Sequence, residues 1–196
     1  MPTVETDTRQ HVLDTAQAIM ARKGYAAVGL NEILTEASVP KGSFYHYFSS
    51  KDAFGEALMQ SYFTGYLASM DRIRDDRSKN GADRLTEYWQ RFYELQTSLD
   101  CQGRCLVVKL AAEVSDLSDA MRRQLLVGTA GIVERLAQMI AAGVEDGSLL
   151  VDDDPQTLAA ELYDAWVGAS VLAKVQRTPE SLQRALRLTR SRLGTA

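Results

Sequence analysis

The sequence predicts an all-α protein, and three observations carry that prediction. Apolar residues recur at three- and four-residue steps nearly everywhere in the 196-residue chain, which is the spacing of amphipathic helices. No segment alternates polar and apolar residues as a half-buried strand does, and no internal repeat is visible. Glycine, proline and serine stand where helices need to stop and start. Val12, Leu13, Ala16, Ile19 and Met20 mark a first helix, which Gly24 ends. Leu30, Ile33, Leu34 and Ala37 mark a short second helix, and Pro40 opens a short third, proline being suited to a first turn whose N–H has no partner. Ser49 and Asp52 are spaced as a capping box ahead of a long helix through Ala53, Leu58, Tyr62, Tyr66 and Ile73. The polar run 75–83 reads as a loop. A further helix carries Leu85, Trp89, Phe92, Tyr93 and Leu95, and "DCQGRC" interrupts it. Two helices follow over 105–114 and 118–142. After the turn "EDGSLLVDDDPQ", Pro155 starts a helix with Leu158, Leu162, Ala165, Trp166, Ala169 and Leu172. The last helix carries Leu182, Leu186 and Leu193. The expected order is three short helices and then a bundle of longer ones.

Composition narrows the function. With 45% hydrophobic and 24% charged residues the chain is of globular type. A net charge of -4 argues against a basic nucleic-acid coat, though not against a local positive face. No apolar run approaches membrane-spanning length and the N-terminus has no signal-peptide pattern, so no membrane association is expected. Two cysteines are too few for a disulfide scaffold, and a cytoplasmic chain with reduced thiols is the expectation. A thiol enzyme finds little support. "CQGRC" is not a CxxC motif, and His11 and His46 both lie far from the cysteines in sequence. There is no glycine-rich phosphate loop and no metal-ligand cluster. Neither a catalytic residue, a metal nor a cofactor is expected.

The stretch "VPKGSFYHYFSSK" (39–51) holds five rings in five consecutive positions, 44–48, between Lys41 and Lys51. Helix, short turn at Ser38-Val39, and helix is how a helix-turn-helix reads, with the second helix entering the DNA major groove. Lys41 is suited to guanine acceptors or phosphate, and Gly42 leaves room for close backbone approach. Ser43, Tyr45, His46 and Tyr47 offer donors and flat faces to phosphates and thymine methyls. Phe44 and Phe48, four apart, form the inward face. Lys51 stands at the start of the next helix, where a phosphate is favoured. The alternative is a buried aromatic mini-core with a solvated lysine at each end. Charge does not decide between them, because residues 1–51 hold five basic and five acidic side chains.

"VPKGSFYHYFSSKDAF", with "GYAAVGLNEILTEASVPKG" upstream, resembles the DNA-binding domain of the TetR family of transcriptional repressors. That resemblance implies a helix-turn-helix domain over 1–52 and a helical regulatory and dimerisation domain over 53–196. It also implies a homodimer on a pseudo-palindromic double-stranded operator. The positions it carries over as operator contacts are Lys41, Gly42, Ser43, Tyr45, His46, Tyr47 and Lys51. Asn31 and Glu32 depart from the Thr or Arg contacts common in relatives; Glu32 is expected to face solvent. In the family's fold the last two helices form the dimer interface, where the small residues Gly168, Ala169 and Ser170 permit close approach. Trp89, Phe92, Tyr93, Tyr163 and Trp166 either line an effector pocket or are ordinary core aromatics.

"DCQGRCLVVKLAAEVSDLSDAMR" places Cys105 where a helix begins, after a break at Gly103. A helix N-terminus stabilises thiolate, and Arg104 and Lys109 are near in sequence, so Cys105 is a candidate reactive thiol. The plain alternative is an inert buried cysteine. "CLVVKLAAEVSDLSDAMR", "KGSFYHYF" and "YDAWVGASVLAKVQRTPESLQRAL" together resemble the N-ethylmaleimide-responsive branch of the same family. There the cysteine opening this helix senses electrophiles and oxidants. The resemblance implies Cys105 as sensor thiol, with Lys174 at a matching position. Arg104 stands where glycine is usual, and Cys101 is an addition that is either a resolving thiol or loop decoration. A small reactive electrophile, or a pocket ligand bound without covalent chemistry, is the implied effector.

Overall fold

A computed structural model describes residues 4–101 and 105–194. Among them there are nine helices and no strand: α1 Val4–Lys23, α2 Leu30–Glu36, α3 Lys41–Tyr47, α4 Lys51–Arg74, α5 Gly81–Cys101, α6 Leu106–Leu117, α7 Asp119–Glu145, α8 Pro155–Gln176 and α9 Glu180–Leu193. The all-α expectation and the order of helices are borne out, but the first helix is not short: α1 has 20 residues, against seven each in α2 and α3.

Several ends differ from the expected ones for local reasons. Ser50, not Ser49, caps α4: its Oγ accepts from the Ala53 N–H at 3.0 Å, and the helix starts at Lys51. Asn80 caps α5 by accepting from the Asp83 N–H at 2.8 Å, which ends the polar loop at residue 80. α5 runs on through Asp100 to Cys101, whose φ of 60° is left-handed. The expected break at Gly103 and the neighbouring Arg104 lie outside the described residues. Cys105 is the N-cap of α6 and not its first helical residue. Ser118 serves two helices. It is the C-cap of α6, and its Oγ accepts from the Met121 N–H of α7. Asp154 caps α8 by accepting from Thr157 N–H at 2.9 Å, with Pro155 at the first helical position as expected.

The chain divides into two compact units, Met1–Gly65 with Arg104–Gly128, and Tyr66–Gly103 with Thr129–Ala196. In the first, α1 packs on α2 and on α6, and α2 on α3. Val12, Leu13, Ala16, Ile33, Leu34, Phe44, Phe48 and Phe54 are buried there. The α2–α3 turn is a Schellman arrangement: Ser38 N–H donates to Thr35 O, Val39 N–H donates to Leu34 O, and Ser38 takes φ 55°. In the second unit α5, α8 and α9 pack on one another, and the stacked indoles of Trp89 and Trp166 lie between α5 and α8. Over 18 residues α7 is apolar enough to satisfy a length-and-composition test for a membrane span, which the sequence reading did not anticipate. The side chains responsible include Ile132, Leu136, Met139 and Ile140, all buried as core.

Candidate DNA interface and candidate sensor site

α3 sorts its five rings into two sets. Phe44 and Phe48 are buried and pack against Phe54, with centroid separations of 5.1 Å, 5.3 Å and 5.0 Å around the triangle. Tyr45 is 59% exposed and His46 is exposed, while Tyr47 is half-buried with its ring 5.3 Å from His46. Lys41 and Gly42 are exposed, and a Cβ at Gly42 would meet nothing within 4 Å, so this end of α3 is open surface. Ser43 is half-buried. The seven expected contact positions fall on α3 and on the first residue of α4. Lys51 is exposed at that end and lies 5.2 Å from the Tyr25 ring centroid. The outer and inner faces thus coexist: three phenylalanines hold the helix, and polar rings and a lysine cover its open side. Asn31 is exposed on α2. Glu32 faces solvent as expected, its side chain 39% exposed and paired at the surface with Lys23.

α6 belongs to the same unit. Cys105 is 3% exposed, makes no side-chain cap, and lies with its Sγ 3.6 Å from the Tyr62 hydroxyl of α4. Leu106, Val107, Leu110 and Val114 bury one face of α6. At the edge of that face stands Glu113. Its carboxylate accepts from the backbone N–H of Tyr25 at 3.0 Å and from that of Ala26. These amides follow Gly24, whose φ of 92° turns the chain out of α1 and whose missing Cβ would lie 3.2 Å from Glu113 Oε2. Sequence reasoning missed Tyr62 and Glu113 as site residues. The contacts span 43 and 88 residues of sequence, and the one local hint is a carboxylate bordering the apolar stripe of α6.

Burial raises the pKa of the Tyr25 phenol above its ordinary 10.0, and the carboxylates of Asp52 and Glu113 push it the same way. The folded protein therefore holds this proton more tightly than the unfolded chain does. The resulting stability is whole below about pH 10 and is lost as pH rises through the higher folded value. Melting curves taken from about pH 8 to 11 should show a shallower alkaline decline for Tyr25→Phe than for wild type, with parallel behaviour nearer neutrality.

In the second unit Trp89 and Trp166 stack at 4.9 Å and 12°, with Phe92 edge-on to Trp166 at 5.4 Å. Trp166 Nε1 donates to Thr189 Oγ1 at 2.8 Å. Tyr163 is buried and Tyr93 half-buried, and Trp89 also lines a cleft of about 120 Å³ with Thr86, Gln90 and Thr189. Lys174 is half-buried in the last turn of α8. Cys101 is buried at the end of α5, and both cysteines are free thiols. Among the described residues no group of His, Cys, Asp and Glu is arranged to hold a metal.

Two family models match. "Bacterial regulatory proteins, tetR family" covers residues 12–58, and "Tetracyclin repressor-like, C-terminal domain" covers residues 81–189. The HTH-type transcriptional repressor NemR of Escherichia coli (strain K12) is 37% identical over 191 residues, 97% of this chain and 96% of the relative. The HTH-type transcriptional repressor DhaR of Mycobacterium sp. (strain GP1) is 34% identical over 181 residues, 92% and 89% of the two chains. The crystal structure of E. coli NemR in its reduced form superposes with a TM-score of 0.90 at 38% identity, covering 97% of this chain and 98% of that one.

Proposed function

This chain belongs to the TetR family of transcriptional repressors, and on that premise we propose that it leaves its operator when the Cys105 thiol is modified by a small electrophile or oxidant. TetR-family repressors bind operator DNA and act as dimers, and the relatives matched here are regulators and not enzymes. Six positions of α3, with Lys51, are assigned to the operator: Lys41, Gly42, Ser43, Tyr45, His46 and Tyr47. Lys41 and Lys51 supply charge for phosphate, and the rings supply donors and apolar faces for base edges.

One observation carries the sensing half of the proposal. The helix capped by Cys105 is the helix whose Glu113 holds the backbone leading into the helix-turn-helix. With an activated alkene the sulfur forms a C–S bond, the thiol proton ends on the neighbouring carbon, and no electron is gained or lost. Cys105 is buried against Tyr62, so reaction waits on a local opening of the α6 N-terminus, and the adduct then occupies space that Tyr62 needs. Glu113 lies eight residues further, roughly 12 Å along the axis. A shift of α6 is passed by its carboxylate to Tyr25 and Ala26, three residues ahead of the Gly29 cap of α2. A difference of a few kcal/mol between the two arrangements suffices for a switch.

A gel shift with DNA flanking the gene tests the proposal, at constant salt because phosphate contacts make affinity salt-dependent. Wild type should bind and release on N-ethylmaleimide or quinone treatment, while Cys105→Ser should bind and stay bound. Equal release from both proteins would remove Cys105 as the trigger.

A further inference from the structure

One residue of the first unit is held by the helix that Cys105 caps and also meets a lysine assigned to the operator. Tyr25 is 6% exposed, and its backbone N–H donates to Glu113 of α6 at 3.0 Å. Its phenol reaches α4 at Gly55, where a Cβ would stand 3.1 Å from the phenol oxygen and 2.5 Å from Met121 Sδ of α7. The missing side chain is what admits both groups at that point of α4. The ring is therefore fixed at its backbone end by α6 and at its phenol end by α4 and α7. Over its face stands Lys51, the first residue of α4, with Nζ 5.2 Å from the ring centroid. Lys51 is exposed, and none of the ion pairs among the described residues includes it.

We propose that Tyr25 is a positioning residue for operator binding: its ring holds the Lys51 ammonium where a DNA phosphate is met, and α6 sets the place of the ring through Glu113. A lysine ammonium rides on a flexible four-carbon stem, so an unheld Lys51 gives up rotamer freedom on meeting a phosphate. A cation within about 6 Å of a ring centroid is drawn to the ring face, which restricts the side chain before DNA arrives. The ring does this without neutralising the ammonium, as a carboxylate partner would, so the full charge stays available to phosphate. A displacement of α6 that draws on the Tyr25 N–H moves the ring under Lys51 as well as the chain entering α2. One carboxylate thereby reaches two parts of the DNA-binding surface. The inference rests on Lys51 being an operator contact and does not rest on Cys105 being the sensor.

The test is a double-mutant cycle on the full-length protein, with operator affinity and its salt slope read by fluorescence anisotropy. Lys51→Ala should weaken operator binding about tenfold or more and lower the salt slope by about one per protomer. Tyr25→Leu should weaken it about tenfold for a dimer, which makes the contact twice. In the Lys51→Ala background the same leucine change should cost less than about twofold, because the ring acts through the lysine. Tyr25→Phe, which keeps the ring face, should match wild type within about twofold. An equal cost of Tyr25→Leu in the two backgrounds, or no cost in the wild-type background, overturns the proposal and leaves Lys51 on the operator. Unchanged affinity and slope in Lys51→Ala removes Lys51 from the operator and the proposal with it. Should the leucine variant fail to fold, the Lys51 ε-methylene protons are read by NMR in wild-type protein and identified by their loss in Lys51→Ala. An upfield ring shift of those protons is expected, and resonances at the position of a free lysine overturn the proposal.

Discussion

Glu113→Ala is expected to uncouple modification of Cys105 from release of DNA. The variant loses a carboxylate that accepts from two backbone N–H groups, one of them at 3.0 Å. The Ala26 amide is exposed and can turn to water, so the stability cost is set mainly by Tyr25 N–H and comes to about 2 kcal/mol, or roughly 5 °C in melting temperature. The effect on regulation is larger. Cys105, at the other end of α6, should still be alkylated at the wild-type rate, as followed by mass spectrometry. Operator release, followed by fluorescence anisotropy, should need at least tenfold more adduct or fail altogether. Release matching wild type at equal adduct levels would show that Glu113 transmits nothing.

The second large effect separates the two faces of α3. Phe44→Ala removes a ring that is 1% exposed and touches Phe48 and Phe54, so a loss of about 3–5 kcal/mol is expected, with loss of operator binding because the helix is no longer held. Tyr45→Ala removes a ring that is 59% exposed and meets Phe44 edge-on at 5.4 Å, so it should cost about 1 kcal/mol of stability, well short of Phe44→Ala. Its main cost appears in operator affinity, about 1–3 kcal/mol for a lost base-edge contact. Lys41→Ala should weaken binding to specific and random DNA alike and lower the salt slope by about one per protomer. Denaturation and salt-dependent binding curves on the three variants check this. A Tyr45→Ala protein as unstable as Phe44→Ala would return the outer rings to a structural role.

Much of this was legible in the sequence, for reasons that are local. Period-3.6 spacing places helices without tertiary knowledge, and Gly24, Pro40 and Pro155 mark their ends by backbone chemistry alone. Phe44 and Phe48, four apart, announce the inner face of α3, which leaves Tyr45 and His46 outside. The choice between Ser49 and Ser50 as cap was not legible, because either serine has an Asp or Ala suitably placed behind it and only the exit angle from α3 decides. The Glu113 clamp was invisible for a different reason. A carboxylate accepting from backbone N–H groups 88 and 87 residues away leaves no mark in the residues it contacts, since every residue except proline has that N–H. Tyr25 was a partial case. The glycine-aromatic pair at 24–25 is visible in the sequence, but only the structure shows Lys51 over the ring.

The central claim is that one thiol governs one release, and stoichiometry tests it most directly. In Cys101→Ser protein, Cys105 is the sole cysteine. Substoichiometric N-ethylmaleimide is added stepwise to the operator complex at fixed salt, with the bound fraction read by anisotropy and the adduct fraction by intact mass. The account predicts that the released fraction climbs with the Cys105 adduct fraction, and that a protein lacking both thiols stays bound throughout. Fully modified Cys105 on a protein still seated on its operator would contradict it.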